Sequence, residues 1–122
     1  MTPFDFSVQI PNGNPLPLFE KDFMFGVIGT SLARVDARGV NCGRDATLQL
    51  TKDANVVELD VLNGAQTAII TALSFSPNGW QASPPKSVPS MPGLQQHIRI
   101  DFANILRITF KSHDELYLHT IR

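Results

Sequence analysis

The chain has 122 residues, 43% of them apolar and 17% charged, and its ten basic and eleven acidic side chains leave a net charge of −1. That length suits one domain over residues 1–122 with a real core, while the near-neutral balance gives no electrostatic footing for nucleic acid or an anionic membrane surface. The single cysteine, Cys42, excludes an internal disulfide, and no apolar run approaches the roughly 20 residues of a membrane span.

The opening MTPFDFSVQI lacks the basic start of a secretory signal, so a cytoplasmic protein is expected, with leaderless export left open. Phe4, Phe6, Val8 and Ile10 alternate with Asp5, Ser7 and Gln9, which predicts a first strand. Pro11–Pro15 is dense turn chemistry and ends it. A second strand is expected over Asp22–Gly29, with Phe23, Phe25 and Val27 on one face, and a short third over Leu32–Ala37. Gly39–Asp45 holds a turn around Gly43. Leu48 and Leu50 alternate with Thr47, Gln49 and Thr51, and Lys52–Asn55 reads as a four-residue hairpin loop. Val57, Leu59 and Val61 alternate with Glu58 and Asp60. Asn63–Gly64 is a strong two-residue turn signal, and Thr67–Phe75 continues as a β-rich run.

Ser76–Gly93 breaks the pattern with five of the nine prolines and the only tryptophan, Trp80. Proline lacks a ladder donor, so this stretch reads as a long ordered loop or an edge excursion, not a central strand. Strands His97–Phe102, Leu106–Phe110 and Leu116–Ile121 follow, with a polar turn at His113–Glu115. Eight to ten short strands predict an all-β, antiparallel β-sandwich of jelly-roll type.

With these elements placed, the chain resembles the galectin family of β-galactoside-binding lectins. The likeness is carried by FSVQIPNGNPLPLFEKDFMFGVIGTS near the start, by GVNCGRDATLQL, by NGW at Asn78–Trp80 with Met91-Pro92-Gly93 downstream, and by the closing HDELYLHTI. The resemblance implies a galectin-like sandwich, a carbohydrate-binding function, and Trp80 as a sugar-stacking ring. The family's strand of alternating His, Asn and Arg is missing. The outward residues at the comparable place are Glu58 and Asp60, and the family's Glu and Arg after the Trp fall on Ser83–Pro85.

The residues themselves also point to binding at Trp80. Indole stacks on the C–H face of a sugar ring, and the amides of Asn78 and Gln81 can both donate and accept. His97, Arg99 and Asp101 form a polar row that could lie beside Arg107 and Thr109 if the next strand pairs antiparallel. That row reads either as part of a glycan groove or as a solvated face with cross-strand ion pairs. The expected ligand-binding set is therefore Trp80, Asn78, Gln81, His97 and Arg99.

No cofactor, metal or catalytic residue is expected. His113 and His119 have no partner at metal-ligand spacing, and phosphate-loop and nucleophile-elbow motifs are absent from the sequence. Cys42 with His97, His113 or His119 is the one thiol–base pairing available, and no helix N-terminus is predicted behind it to lower its pKa. The expected partner is a glycan or glycoprotein, with a homodimer through edge strands compatible with it. The alternative is a structural or assembly domain acting through protein–protein contacts.

Overall fold

Alternating apolar and polar side chains fold this chain into an antiparallel sheet. The computed structural model describes residues 3–6, 18–27, 35–64, 66–113 and 116–122, and among them eleven strands join in one hydrogen-bonded sheet. The fold class is all-β and antiparallel, and an open sheet of this kind is consistent with the expected sandwich. The expectations at Val8, Ile10, Pro11–Pro15, Gly29, Leu32 and Asp114–Glu115 lie outside the described residues.

Two long strands organise the sheet. In chain order they are β6, Asp45–Asn63, and β10, Gln95–Lys111, of 19 and 17 residues. They pair from Lys111 opposite Asp45 to Gln95 opposite Leu62, with register shifts between Asp101 and Arg107. Each takes different neighbours at its two ends. The first half of β6 pairs with β3 (Phe23–Val27), which carries β2 (Leu18–Phe19). The second half of β10 pairs with β7 (Ala68–Ser76). The second half of β6 pairs with β11 (Leu116–Ile121). Beyond β11 lie β1 (Phe4–Asp5) and β5 (Gly39–Asn41), with β4 (Val35–Asp36) paired to β5. On the opposite side β7 is bordered by β8 (Gly79–Ala82) and β9 (Lys86–Val88).

This connectivity corrects three sequence expectations. Lys52–Asn55 is not a hairpin loop but the middle of β6. A hairpin needs its flanking segments to pair with each other, and here both pair with β10. The stretch is polar because it is exposed where the strand passes from one set of neighbours to another. His97–Phe102 and Leu106–Phe110 likewise belong to one strand, joined by a bulge at Asn104. Its φ is +58°, and its N–H donates to Asn55 Oδ1 at 3.0 Å. The bulge shifts the inward set from Ile100 to Ile105, Ile108 and Phe110, leaving Leu106 half-buried.

Asn63–Gly64 is not a two-residue hairpin turn, because β10 stands between β6 and β7. The buried Asn63 side chain works as a clamp. Its Nδ2 donates to the carbonyls of Gln66, Val88 and Pro89 at 2.7, 2.9 and 3.3 Å, and the Asn63 backbone carbonyl accepts from Met91 N–H at 3.3 Å. The Ser76–Gly93 stretch is an edge excursion, with its prolines outside the ladders of β8 and β9. Between those two strands Ser83 donates its N–H to Ala72 O at 2.8 Å and accepts Ala72 N–H on Oγ at 3.0 Å.

One apolar cluster is shared by strands from both ends of the sheet, including Phe6, Phe23, Phe25, Leu48, Leu59, Ile100, Phe110 and Leu118. Phe25 meets Phe6 and Phe110 at centroid distances of 6.0 and 6.2 Å, in tilted and edge-on geometries. Met24, between the buried Phe23 and Phe25, is exposed, as period two requires.

Candidate functional site

Four of the five expected ligand-binding residues fall into two separate groups, Trp80 with Asn78 and His97 with Arg99, while Gln81 points away from both. The first group surrounds Trp80. The β7–β8 hairpin turns through Pro77–Asn78, with Ser76 opposite Gly79 and Phe75 opposite Trp80. Directly opposed residues point to the same sheet face. Because Ser74 points into the buried side, Phe75 and Trp80 point out of it. They are 56% and 43% exposed, so Trp80 is not a core residue, and their rings meet edge to face at 5.2 Å.

Arg107 completes this group. It stands on β10 opposite Leu73 of β7 and Gln49 of β6. Its guanidinium carbon lies 4.4 Å from the centre of the Trp80 ring, and its Nε donates to Gln49 Oε1 at 2.9 Å. A cation over indole in this geometry contributes about 0.5–2 kcal/mol, according to how far it is desolvated. Asn78 lies in the hairpin turn beside this cluster. Gln81 is exposed but opposes the buried Ser74, so it projects to the face away from Trp80. Ser83, between β8 and β9, is buried and bonded to the Ala72 backbone.

The second group lies about ten residues back along β10, roughly 30 Å of strand from Arg107. His97 opposes Asp60, and Arg99 opposes Glu58. His97 Nδ1 lies 2.8 Å from Asp60 Oδ1 and its Nε2 lies 3.2 Å from Glu58 Oε1. Arg99 donates to Asp101 through Nε at 3.1 Å and Nη2 at 3.2 Å, and its Nη1 is 3.7 Å from Glu58. Arg122 closes the far side, 3.6 Å from Glu58 and 3.5 Å from Asp60, and Thr120 Oγ1 donates to Asp60. The donors of His97 and Arg99 are thus engaged within the protein, the arrangement of a cross-strand ion-pair network. Arg107 and Thr109 do not lie beside this row, because they continue the same strand.

This network gives stability a pH dependence. Hydrogen bonds to Asp60 and then Glu58 raise the His97 pKa above its ordinary 6.5. Its contribution is complete below 6.5 and is lost as pH rises through the raised folded value. For Asp60, burial pushes upward, but Thr120, His97 and Arg122 together hold the carboxyl below its ordinary 3.8. Its contribution is present above 3.8 and is lost as pH falls through the lowered folded value. His97 is 45% exposed, so solvent screening keeps its share small. Urea midpoints measured from about pH 5 to about pH 9 should fall on the alkaline side, and His97→Gln should flatten that limb. An unchanged limb in the variant would place the cause elsewhere.

Cys42 lies inside the core, and burial pushes its thiol up to about 12, a backbone hydrogen bond at Leu118 offsetting part of the rise. Almost none is thiolate at neutral pH, so it is a poor nucleophile there. The native protein should resist thiol reagents and label fully on unfolding. Rapid labelling of the folded state would contradict this.

A cleft of about 280 Å³ opens between Arg38, Leu62, Asn63, Gly64, Pro92, Gly93 and Tyr117. The Arg38 guanidinium carbon lies 4.0 Å from the centre of the Tyr117 ring. Sequence reasoning found neither this cleft nor the Arg107–Trp80 pair. The available signal for the pair was an arginine between Leu106 and Ile108 in an otherwise uncharged run from Phe102 to Phe110. No protein-family model matches the chain, and no curated protein matches it significantly.

Proposed function

We propose that this protein is a non-enzymatic carbohydrate-binding module whose working surface is the outer face formed by Trp80, Phe75, Arg107 and Gln49, with Asn78 at its margin. The observation that carries the reading is an indole kept out of the core and held by a cation–π contact and an edge-on ring, while 43% of the residue stays open to solvent. An aromatic platform offers stacking area to a sugar ring, and the guanidinium and amide beside it offer donors and an acceptor to hydroxyls. His97 and Arg99 serve the ion-pair network in this reading and take no part in binding.

A glycan array probed with wild type and Trp80→Ala tests it. Trp80→Ala should lose binding at least tenfold while the protein stays folded, its unfolding free energy lowered by about 1–3 kcal/mol through loss of the Arg107 and Phe75 contacts. Undiminished binding by a folded variant would remove Trp80 from the site. A second reading, assembly through this face, is favoured by Phe19 and Met24, which lie exposed on β2 and β3, and by the position of β8 at the end of the strand order. A blank array together with a stable oligomer in light scattering would select it.

A further inference from the structure

We propose that the saccharide taken by the Trp80 face carries an anionic group, a carboxylate or a sulfate, received by Arg107. The inference rests on the reading of this face as a saccharide site and goes on to name the ligand's chemistry.

Arg107 differs from the arginines at the other end of the sheet. Arg99 and Arg122 each sit within 4 Å of carboxylates. Arg107 is half-buried, yet among the described residues its contacts are the neutral Gln49 amide and the Trp80 ring, with no carboxylate. Its register neighbours are also uncharged. Gln49 and Leu73 oppose it, and the row two residues on is Thr47, Thr109 and Thr71. On β6 the acids on either side of Gln49 stand four residues away, Asp45 opposite Lys111 and Asp53 in the exposed mid-strand stretch, and among the described residues neither pairs with Arg107. This leaves a partly desolvated positive charge without a counter-charge in the middle of the face, in a chain whose net charge is −1.

Partial desolvation strengthens any ion pair formed there. The Gln49 bond uses Nε and holds the guanidinium carbon 4.4 Å from the centre of the indole, so the η nitrogens remain to meet an anion. Two parallel N–H donors match the spacing of carboxylate or sulfate oxygens, and their bonds are roughly twice as strong as neutral ones. A saccharide ring on the indole would bring a charged substituent within reach of that fork. Gln49 is then a positioning residue. An acidic peptide could meet the same charge, but the exposed indole beside it favours a ring-shaped ligand over a linear one.

The test is an array of matched neutral, uronate- or sialic-acid-bearing, and sulfated glycans, probed with wild type, Arg107→Ala, Gln49→Ala, Trp80→Ala and Lys86→Ala. Acidic glycans should dominate the wild-type signal, and the carboxylated and sulfated arms identify which anion is preferred. Arg107→Ala should weaken acidic binding at least tenfold and weaken neutral binding by a clearly smaller factor, since the guanidinium gives a neutral sugar only hydroxyl contacts. Gln49→Ala should weaken it less, and Lys86→Ala should hardly change it. Neutral glycans bound through Trp80 without preference for acidic ones would overturn the inference and leave the saccharide reading intact. Equal losses from Arg107→Ala and Lys86→Ala would also overturn it, by showing diffuse attraction of polyanions. A blank array would overturn the saccharide reading itself, and saturable binding of a polyglutamate peptide instead would assign the charge to protein recognition.

Discussion

Gly39→Ala is expected to destabilise the protein by about 3–5 kcal/mol, a large part of the 5–15 kcal/mol typical of a whole domain. Two causes add. Gly39 has φ +111°, a region that side chains with a Cβ rarely enter. A Cβ built there would also stand 2.1 Å from the carbonyl oxygen of Leu118 and 2.8 Å from the His119 Cα, both backbone atoms that cannot rotate away. Relief requires β5 to move off β11, where Val40 and Asn41 pair with Leu118 and Tyr117. Gly79→Ala separates the causes, since its φ is +102° but no atom lies within 4 Å of the added Cβ. It should cost only the conformational part, about 1–2 kcal/mol. Equal urea midpoints for the two variants would show that the clash with β11 is not what constrains Gly39.

Asn63→Asp should be similarly damaging. The Asn63 amide donates to three carbonyl oxygens from a site only 2% exposed. A carboxylate there can donate nothing and faces oxygens of like partial charge. An uncompensated buried charge costs about 3–5 kcal/mol, or the group stays protonated and recovers at most one bond. Asn63→Ala should cost less, about 2–3 kcal/mol, because it leaves carbonyls unsatisfied without adding a charge. The damage should appear first where the clamp acts. Hydrogen exchange should speed up along Ala68–Ile70, the part of β7 paired with β9. An Asp variant as stable as wild type, with unchanged protection there, would contradict the clamp.

The alternation that marks strands is a local property, and it located Phe23 and Phe25, Ile98 and Ile100, and Leu116–Ile121 in the sequence. Strand continuity is not local. Lys52–Asn55 is as polar as a loop because it lies exposed in mid-strand, and only the shared partner β10 shows that the chain passes straight through. Asn63–Gly64 carries strong turn chemistry, yet the strands on either side are parted by β10, which comes about thirty residues later in the chain. The ion-pair row was half legible. Glu58, Asp60, His97 and Arg99 all fall at outward positions of alternating strands, but their register is a long-range fact. The Trp80 site was legible in its tryptophan and not in its partner, because nothing in the sequence brings Arg107 beside a ring 27 positions earlier.

Trp80 is the only tryptophan in the chain, so its fluorescence reports on the proposed site alone. Titration with the strongest saccharide from the array, read as Trp80 emission and as acrylamide quenching of that emission, is the most direct measurement of the central claim. The free protein should be readily quenched, and saccharide should shift the emission and shield the ring along one saturable curve. An indole already shielded in the free protein, or one whose emission and quenching stay unchanged while saccharide binds, would contradict the account.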